Sequence, residues 1–277
     1  MKWNWLIGLL YGCLGGFFEF LPVAPQVHQK AFLKLVGVGA PGHGMSLAVH
    51  LGALAAVVFV YYSSISKLSR EQKLLRQSKR LRKRQPDFVS LIQIRLLKFA
   101  AVPVVVSCVA APWFSWYMDR LWLMAILAAL SGILVLLPNY MTRANKDARG
   151  MSPLDAVLIG LGGILGLMPG FSRVGALTSV ASMRGVDRQY GLDFVYLLMI
   201  PILAALCICD LAMLMIAGDP LAGVLFWPGV LAAAAAFGAG IAGIRLMQFL
   251  AVKVGYESLA YYSWGLAMFA FIVYLIG

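Results

Sequence analysis

Residues 153–173 read PLDAVLIGLGGILGLMPGFSR. The stretch is apolar and glycine-rich as far as 168, stops at Met168-Pro169-Gly170, and is followed at once by Ser172-Arg173. A helix needs about 20 apolar residues to cross a bilayer, so this segment is apolar enough to enter one and too short to leave the other side. Residues 3–22, WNWLIGLLYGCLGGFFEFLP, have the same plan: an apolar run, a charge at Glu19 and a break at Pro22. Short segments interrupted by Pro or Gly at matching positions of two halves are a sequence pointer to a binding site.

The continuation of each segment also matches. After Pro22 come a short mixed return over 26–37 and three full spans, at 45–62, 88–116 (with Pro103 and Pro112 inside it) and 121–140. After Gly170 come a mixed piece ending in Arg184-Gly185-Val186-Asp187-Arg188 and three spans at about 194–217, 222–244 and 256–276, the first two separated by Gly218-Asp219-Pro220. The expected fold is an all-α polytopic membrane protein, one integral membrane domain over 1–277. Its halves, 1–140 and 148–277, each hold one re-entrant helical hairpin and three transmembrane helices. An odd number of spans per half inverts the second half, so the repeat has inverted topology. The hairpin tips, near Pro22 and Pro169, then meet close to the bilayer midplane. Non-helical backbone is tolerated there only inside protein or beside a water-filled cavity.

Composition agrees. Of 277 residues, 62% are hydrophobic and 12% charged, and the mean hydropathy is +0.86. A soluble domain carries about 25% charged residues, so an ordinary water-facing globule and a disordered chain are both excluded. The net charge of +12 comes from 23 Lys and Arg against 11 Asp and Glu. Nine of the basic residues fall between Lys67 and Arg84. A basic run between two spans reads as the positive-inside rule rather than as a nucleic-acid surface. It makes the loop 64–87 cytoplasmic, and the basic loop 141–152 (Arg143, Lys146, Arg149) with it. Asp119-Arg120, Asp219 and both termini then lie outside. The protein is expected to pass through a membrane several times. No nucleic-acid partner is expected, and a homodimer is compatible with the pattern. Cys13, Cys108, Cys207 and Cys209 lie in apolar segments without metal-ligand spacing and read as small buried hydrophobes.

Charges inside membrane segments are functional candidates by default. Glu19 ends the first short segment, His28 follows on its return arm, and Ser172 and Arg173 follow the second break. Taken singly, such a Glu caps or snorkels, such a His packs, and such an Arg sets topology. Matched placement in both halves argues for function instead. A guanidinium suits bidentate recognition of phosphate, and a carboxylate beside a histidine orients it and raises its basicity. Gly170 and Gly175 would let backbone amides approach an anion, with helix N-terminal N–H groups beside them. Asp155 reads as solvated or supporting, as does Asp210, and His43 and His50 read as packing residues. The Gly238, Gly240 and Gly243 cluster reads as close helix packing, and Trp3, Trp5, Trp113, Trp116 and Trp227 as interfacial belts.

Two stretches resemble the signatures of the undecaprenyl-diphosphate phosphatase family, the bacitracin-resistance type of integral membrane phosphatase. They are Gly16-Phe17-Phe18-Glu19-Phe20-Leu21-Pro22-Val23 followed by His28, and Pro169-Gly170-Phe171-Ser172-Arg173-Val174-Gly175. Leu51-Gly52-Ala53, Asp155, Arg184 to Arg188 and Ile200-Pro201 are similar in place and order. The resemblance implies hydrolysis of undecaprenyl diphosphate to undecaprenyl phosphate in recycling of the cell-envelope lipid carrier. It makes Glu19, His28 and Arg173 the catalytic residues and Ser172, Arg173, Gly170 and Gly175 the phosphate-binding ones. Asp155 and Gln26 would support them. The active-site motif is degenerate. The family has a second Glu where Gly15 stands, a Ser pair where Ala24 and Pro25 stand, and a Gln where Gly163 stands. The missing Glu implies a weaker role for Mg2+ or Ca2+, and no metal-ligand set remains. An alternative is a paralogue that translocates or binds undecaprenyl phosphate or a related anionic isoprenoid lipid. In either case the partners are a polyprenyl phosphate or diphosphate lipid and the bilayer.

Overall fold

Apolar runs that must satisfy their own backbone groups away from water become helices, and the regular elements among the described residues of the computed structural model are helices. It describes residues 3–77, 84–109, 120–140, 145–217, 227–253 and 256–276. The first half contains α1 (Trp5–Glu19), α2 (Pro25–Leu35), α3 (His43–Val60), α4 (Tyr62–Arg76), α5 (Phe88–Cys108) and α6 (Leu121–Leu136), the last ending in a 3-10 turn at Leu137–Tyr140. The second half contains α7 (Pro153–Leu165), α8 (Arg173–Met183), α9 (Arg188–Ala217), α10 (Trp227–Lys253) and α11 (Glu257–Ile276). Among the described residues, six helices are long and apolar enough to cross a membrane: α3, α5, α6 with its terminal turn, α9, α10 and α11. Large apolar side chains such as Phe59, Val106, Ile208, Met215, Phe249 and Met268 stand exposed along them. The chain is a multi-pass membrane protein.

The breaks fall where the sequence places them. Helix α1 stops at Glu19 and α2 starts with Pro25 at its first position, where a residue without an N–H costs the helix nothing. Helix α7 stops at Leu165 and α8 starts at Arg173. Between them Gly170 has φ +108°, a conformation open to glycine. Helix α10 differs from expectation. It continues to Lys253, nine residues beyond the apolar window ending at 244, because Arg245 and Gln248 bond each other and Gln248 donates to Tyr61 Oη at 3.0 Å. Helix α9 likewise begins at Arg188 rather than 194. The expected loop after Tyr62 is helical as far as Arg76. Residues 78–83, Trp113, Trp116, Asp119, Arg143 and the turn at 218–220 lie outside the described residues.

Small residues decide which helices touch. Gly8, Gly12 and Gly16 recur every four residues on one face of α1, against Pro228, Ala232 and Ala236 on α10. A Cβ at Gly12 or Gly16 would lie 2.2 Å from the carbonyl oxygen of Ala232 or Ala236. Such stripes let backbones meet where lipid removes the hydrophobic drive for helices to pair. Gly160 on α7 makes the equivalent approach to α5, where its Cβ would sit 2.1 Å from Ala100 O. Gly240 and Gly243 abut Phe20 and Phe17, whereas Gly238 faces open space and packs against nothing.

At one end of the bundle the charges tie segments together. Glu71, buried on α4, takes the Arg84 guanidinium and the Asp87 amide. The Arg84 hydrogen bond and then the Asp87 amide hold its carboxyl below the usual carboxylate range. Asp87 in turn caps α5 through the Val89 and Ser90 amides. Asp155 sits in a capping box with Ser152 at the start of α7 and receives Arg184 at 2.7 Å and Lys146 at 3.3 Å. It latches the α7–α8 pair to the neighbouring loop and touches no cavity residue among these partners.

The glycine stripe yields a stability test. Gly12→Ala should destabilise the detergent-solubilised protein by about 1–3 kcal/mol, the usual cost of overpacking. Gly238→Ala should leave the thermal midpoint within about a degree of wild type, since its Cβ meets nothing.

Candidate functional site

The chain between α1 and α2 leaves carbonyl groups without helical partners, and the fold supplies one from each of three elements. Phe20 O accepts from Tyr196 Oη on α9 at 2.8 Å. Leu21 O accepts from Ser172 Oγ at the start of α8 at 2.9 Å, and Pro22 O, at 3.5 Å, shares the single hydroxyl proton of Ser263 on α11 with the closer Leu259 O at 3.0 Å. The Ser172 amide donates to Ser131 Oγ on α6 at 3.1 Å. These bonds bring the ends of the two short helix pairs together. Gly166 is part of the same junction, because a Cβ there would strike Arg173 Cα at 2.4 Å.

The charges follow from that contact. Arg173 Nη2 donates to Glu19 Oε2 at 2.6 Å, with both side chains at or below 5% exposure. Both residues line a cavity of about 490 Å³. Tyr11, Gly15 and Glu19 face it from α1 at four-residue spacing, Gln26, Gln29, Lys30 and Leu33 from α2, and Pro169 and Arg173 from the second break. Three polar atoms on lining residues, Glu19 Oε1, Gln26 Oε1 and Arg173 Nε, are buried without a hydrogen-bond partner. Buried polar groups in native proteins are nearly always paired, and exceptions mark function or a missing ligand.

The structure does not bring all the expected residues into this cavity. Glu19, Arg173 and Gln26 meet there. His28 does not. The α2 residues at the cavity are 25, 26, 29, 30 and 33, and His28 is turned about 130° around the helix from the centre of that face. Its ring stacks on Phe18 with centroids 3.6 Å apart, and it bonds Ala24 O and Tyr262 Oη at 2.9 and 3.0 Å. The expected Glu19–His28 pairing is therefore replaced by Glu19–Arg173. Ser172 and Gly175 are also occupied otherwise than expected. Ser172 Oγ caps α8 by accepting from the Gly175 amide at 3.0 Å while donating to Leu21 O. Gly170 serves the turn and packs against Leu127 and Met124. Asp155 belongs to the latch described above.

Sequence reasoning took two cavity residues for packing and support. His50 Nδ1 lies 2.6 Å from Asp210 Oδ2, bridging α3 and α9 with the side chains 18% and 17% exposed, and both residues line the cavity. The signal was present as a polar stripe, His43, Ser46 and His50, on one face of an apolar span, with Asp210 inside another.

The donors do not make a protein-held metal site. Among the described residues no group of three metal-ligating side chains occurs. Glu19 is committed to Arg173 and Asp210 to His50. A side chain at Gly15, where a second Glu would stand, meets Gln29 Nε2 at 2.4 Å and Val49 Cγ1 at 2.5 Å. Magnesium takes oxygen ligands at near-octahedral positions, and the described carboxylates at the cavity leave only single oxygens, Glu19 Oε1 and Asp210 Oδ1, outside these pairs.

A bundle of membrane helices, with two short helix pairs meeting over an ion pair at a polar cavity, is the class of protein these features define. The model of the family described as Bacitracin resistance protein BacA matches residues 8–269, and the chain belongs to that family. It is 25% identical to an undecaprenyl-diphosphatase of Desulfatibacillum aliphaticivorans over 94% of this chain and 95% of that protein. An undecaprenyl-diphosphatase of Neisseria gonorrhoeae is 26% identical over 98% of this chain and 96% of its own. One of a Synechococcus strain is 30% identical over 72% of this chain and 71% of its own.

Removing one member of a buried ion pair leaves an uncompensated charge, at a cost of about 3–5 kcal/mol. Arg173→Met should lower unfolding stability by that order, and adding Glu19→Gln should recover part of the loss. A double-mutant cycle on the thermal or denaturant midpoint in detergent measures the coupling.

Proposed function

We propose that the chain hydrolyses undecaprenyl diphosphate to undecaprenyl phosphate and inorganic phosphate in the bacterial inner membrane. The observation that carries the reading is the unpartnered Nε donor of the buried Arg173 at a cavity that also holds Lys30. A diphosphate headgroup would supply acceptors for Arg173 and anionic charge for both cations. An apolar groove of about 480 Å³ lined by Leu14, Phe32, Leu35, Leu266 and Phe269 suits an isoprenoid chain, which needs burial but no polar partners. The names of the relatives point the same way.

In this reading water attacks the terminal phosphorus, the bond from that phosphorus to the bridging oxygen breaks, and the lipid monophosphate leaves. Arg173 faces the charge that gathers on the transferring phosphoryl oxygens, the kind of preorganised donor that contributes most in a site shielded from water. Glu19 fixes the guanidinium. Gln26 adds an amide at the same wall.

The two short helix pairs act as re-entrant hairpins of an inverted repeat. Support comes from the pairing pattern. Helix α1 packs on α10 as α7 packs on α5, α6 meets α8 as α11 meets α2, and α3–α9 and α6–α11 pair across the halves. The basic segment after α4 lies in the cytoplasm and both termini lie outside.

The test is phosphate release from a polyprenyl diphosphate by the purified chain. Arg173→Ala should lose about 10²-fold or more, and Arg173→Lys, which keeps the charge, should lose less. A wild-type rate no higher than that of Arg173→Ala would sink the reading. For topology, a cysteine at Lys73 should resist a membrane-impermeant thiol reagent added to intact cells and react after lysis; labelling in intact cells would reverse the orientation.

A further inference from the structure

We propose that His50, held by Asp210, is the proton acceptor for the attacking water in this cavity, whereas the sequence placed the catalytic histidine at His28. The inference rests on the phosphatase reading above and deepens it. His43, Ser46 and His50 line the cavity from one face of α3, and Leu206, Asp210 and Met213 from one face of α9. The His50 Nδ1 to Asp210 Oδ2 contact is 2.6 Å. An ionised carboxylate can only accept, so Nδ1 donates, and the proton of the neutral ring is fixed there. Nε2 is left as the basic atom, and His50 is one of the residues that form the cavity wall. A carboxylate that sets the tautomer and stabilises the imidazolium is the arrangement by which histidine bases work in hydrolases.

Other cavity groups are less suited. Arg173 and Lys30 are cations. Glu19 is bonded to Arg173, and among the described residues no carboxylate pairs with His43. His28 lies outside the cavity with both ring nitrogens engaged. A pair that served only to join α3 to α9 could be made by neutral groups. A mostly buried imidazole and carboxylate in apolar spans are costly, and the default reading of such groups is functional.

The step balances simply. Water adds its oxygen to the terminal phosphorus and gives one proton to His50 Nε2, while the bond to the bridging oxygen breaks with its electron pair going to the lipid phosphate. His50 then returns the proton to the departing inorganic phosphate. The diphosphate trianion and water become lipid phosphate dianion and dihydrogen phosphate, with no other reactant.

The experiment compares wild type, His50→Gln and Asp210→Asn as purified full chains in lipid nanodiscs. It measures phosphate release from a polyprenyl diphosphate across pH, and binding of the methylene-bridged diphosphonate analogue, which cannot be hydrolysed. His50→Gln should lower kcat by about 10²-fold or more, with analogue binding within threefold of wild type, and should remove the fall in rate on the acidic side. Asp210→Asn should lower kcat at least about tenfold without changing analogue binding, which a merely structural pair would not do. The groups at the same cavity that could shape the profile are Asp210 from α9, Tyr11 and Glu19 from α1, Lys30 from α2, His43 from α3 and Arg173 from α8. Wild-type kcat in folded His50→Gln, with loss in His28→Gln, would overturn the assignment in favour of His28. An acid-labile phosphoryl-protein trapped on wild type would make histidine a nucleophile and overturn it too. Absence of phosphate release by wild-type protein that still binds the analogue would overturn the phosphatase reading, and the base with it.

Discussion

Backbone carbonyls that leave a helix inside a membrane protein must find donors within the protein. The turn between α1 and α2 meets this requirement with Tyr196, Ser172 and Ser263, one each from α9, the start of α8, and α11. The rest of the site depends on those bonds. They fix the end of α1 against the start of α8, and Glu19 and Arg173, each the terminal residue of its helix, come within hydrogen-bond distance. A buried pair of this kind is weak evidence for stability, since well-packed apolar groups often do as well. Its placement at a cavity with unpartnered oxygens argues that recognition, rather than cohesion, keeps it there.

Ser172 shows how one side chain can be mistaken for a ligand-binding group. In the sequence it stands beside Arg173 after a Pro-Gly break, where a hydroxyl facing an anion is a natural reading. In the structure its oxygen caps α8 and ties the second helix pair to the first, so both its donor and its acceptor capacity are used. The cap positions Arg173, the first residue of α8, and acts on the site through that residue. The apolar side chains after the break, such as Val174 and Leu177, are buried at this junction and pack it.

The cavity places its charged groups at two positions. The Glu19–Arg173 pair comes from the two short helix pairs, and the His50–Asp210 pair from the long helices α3 and α9. The first is nearly excluded from solvent and the second is partly open to it. A diphosphate has matching requirements, with a charge to be gripped and a water to be deprotonated beside it. The apolar groove by His28 and Tyr262 is separate in its lining from this polar cavity, which suits a molecule that is part salt and part hydrocarbon.

The sequence by itself determined the membrane class, the two breaks and the two charges that mark them. These follow from local rules: how many apolar residues a bilayer needs, where Pro and Gly stop a helix, and how costly Glu and Arg are in between. It also placed most ends of the long spans to within a few residues, but not the start of α9, at Arg188 rather than 194, nor the end of α10, which Arg245 and Gln248 carry past its apolar window by bonding each other and Tyr61. Only the tertiary structure decided which histidine faces the cavity. Rotation of α2 about its axis is set by packing of Phe18 and Tyr262 on His28, and no property of the sequence around His28 reveals it. The partner of His50 is 160 positions away, on a helix that packs against α3. Pairing at that distance depends on the bundle as a whole, and so the polar stripe on α3 was visible in the sequence while its purpose was not.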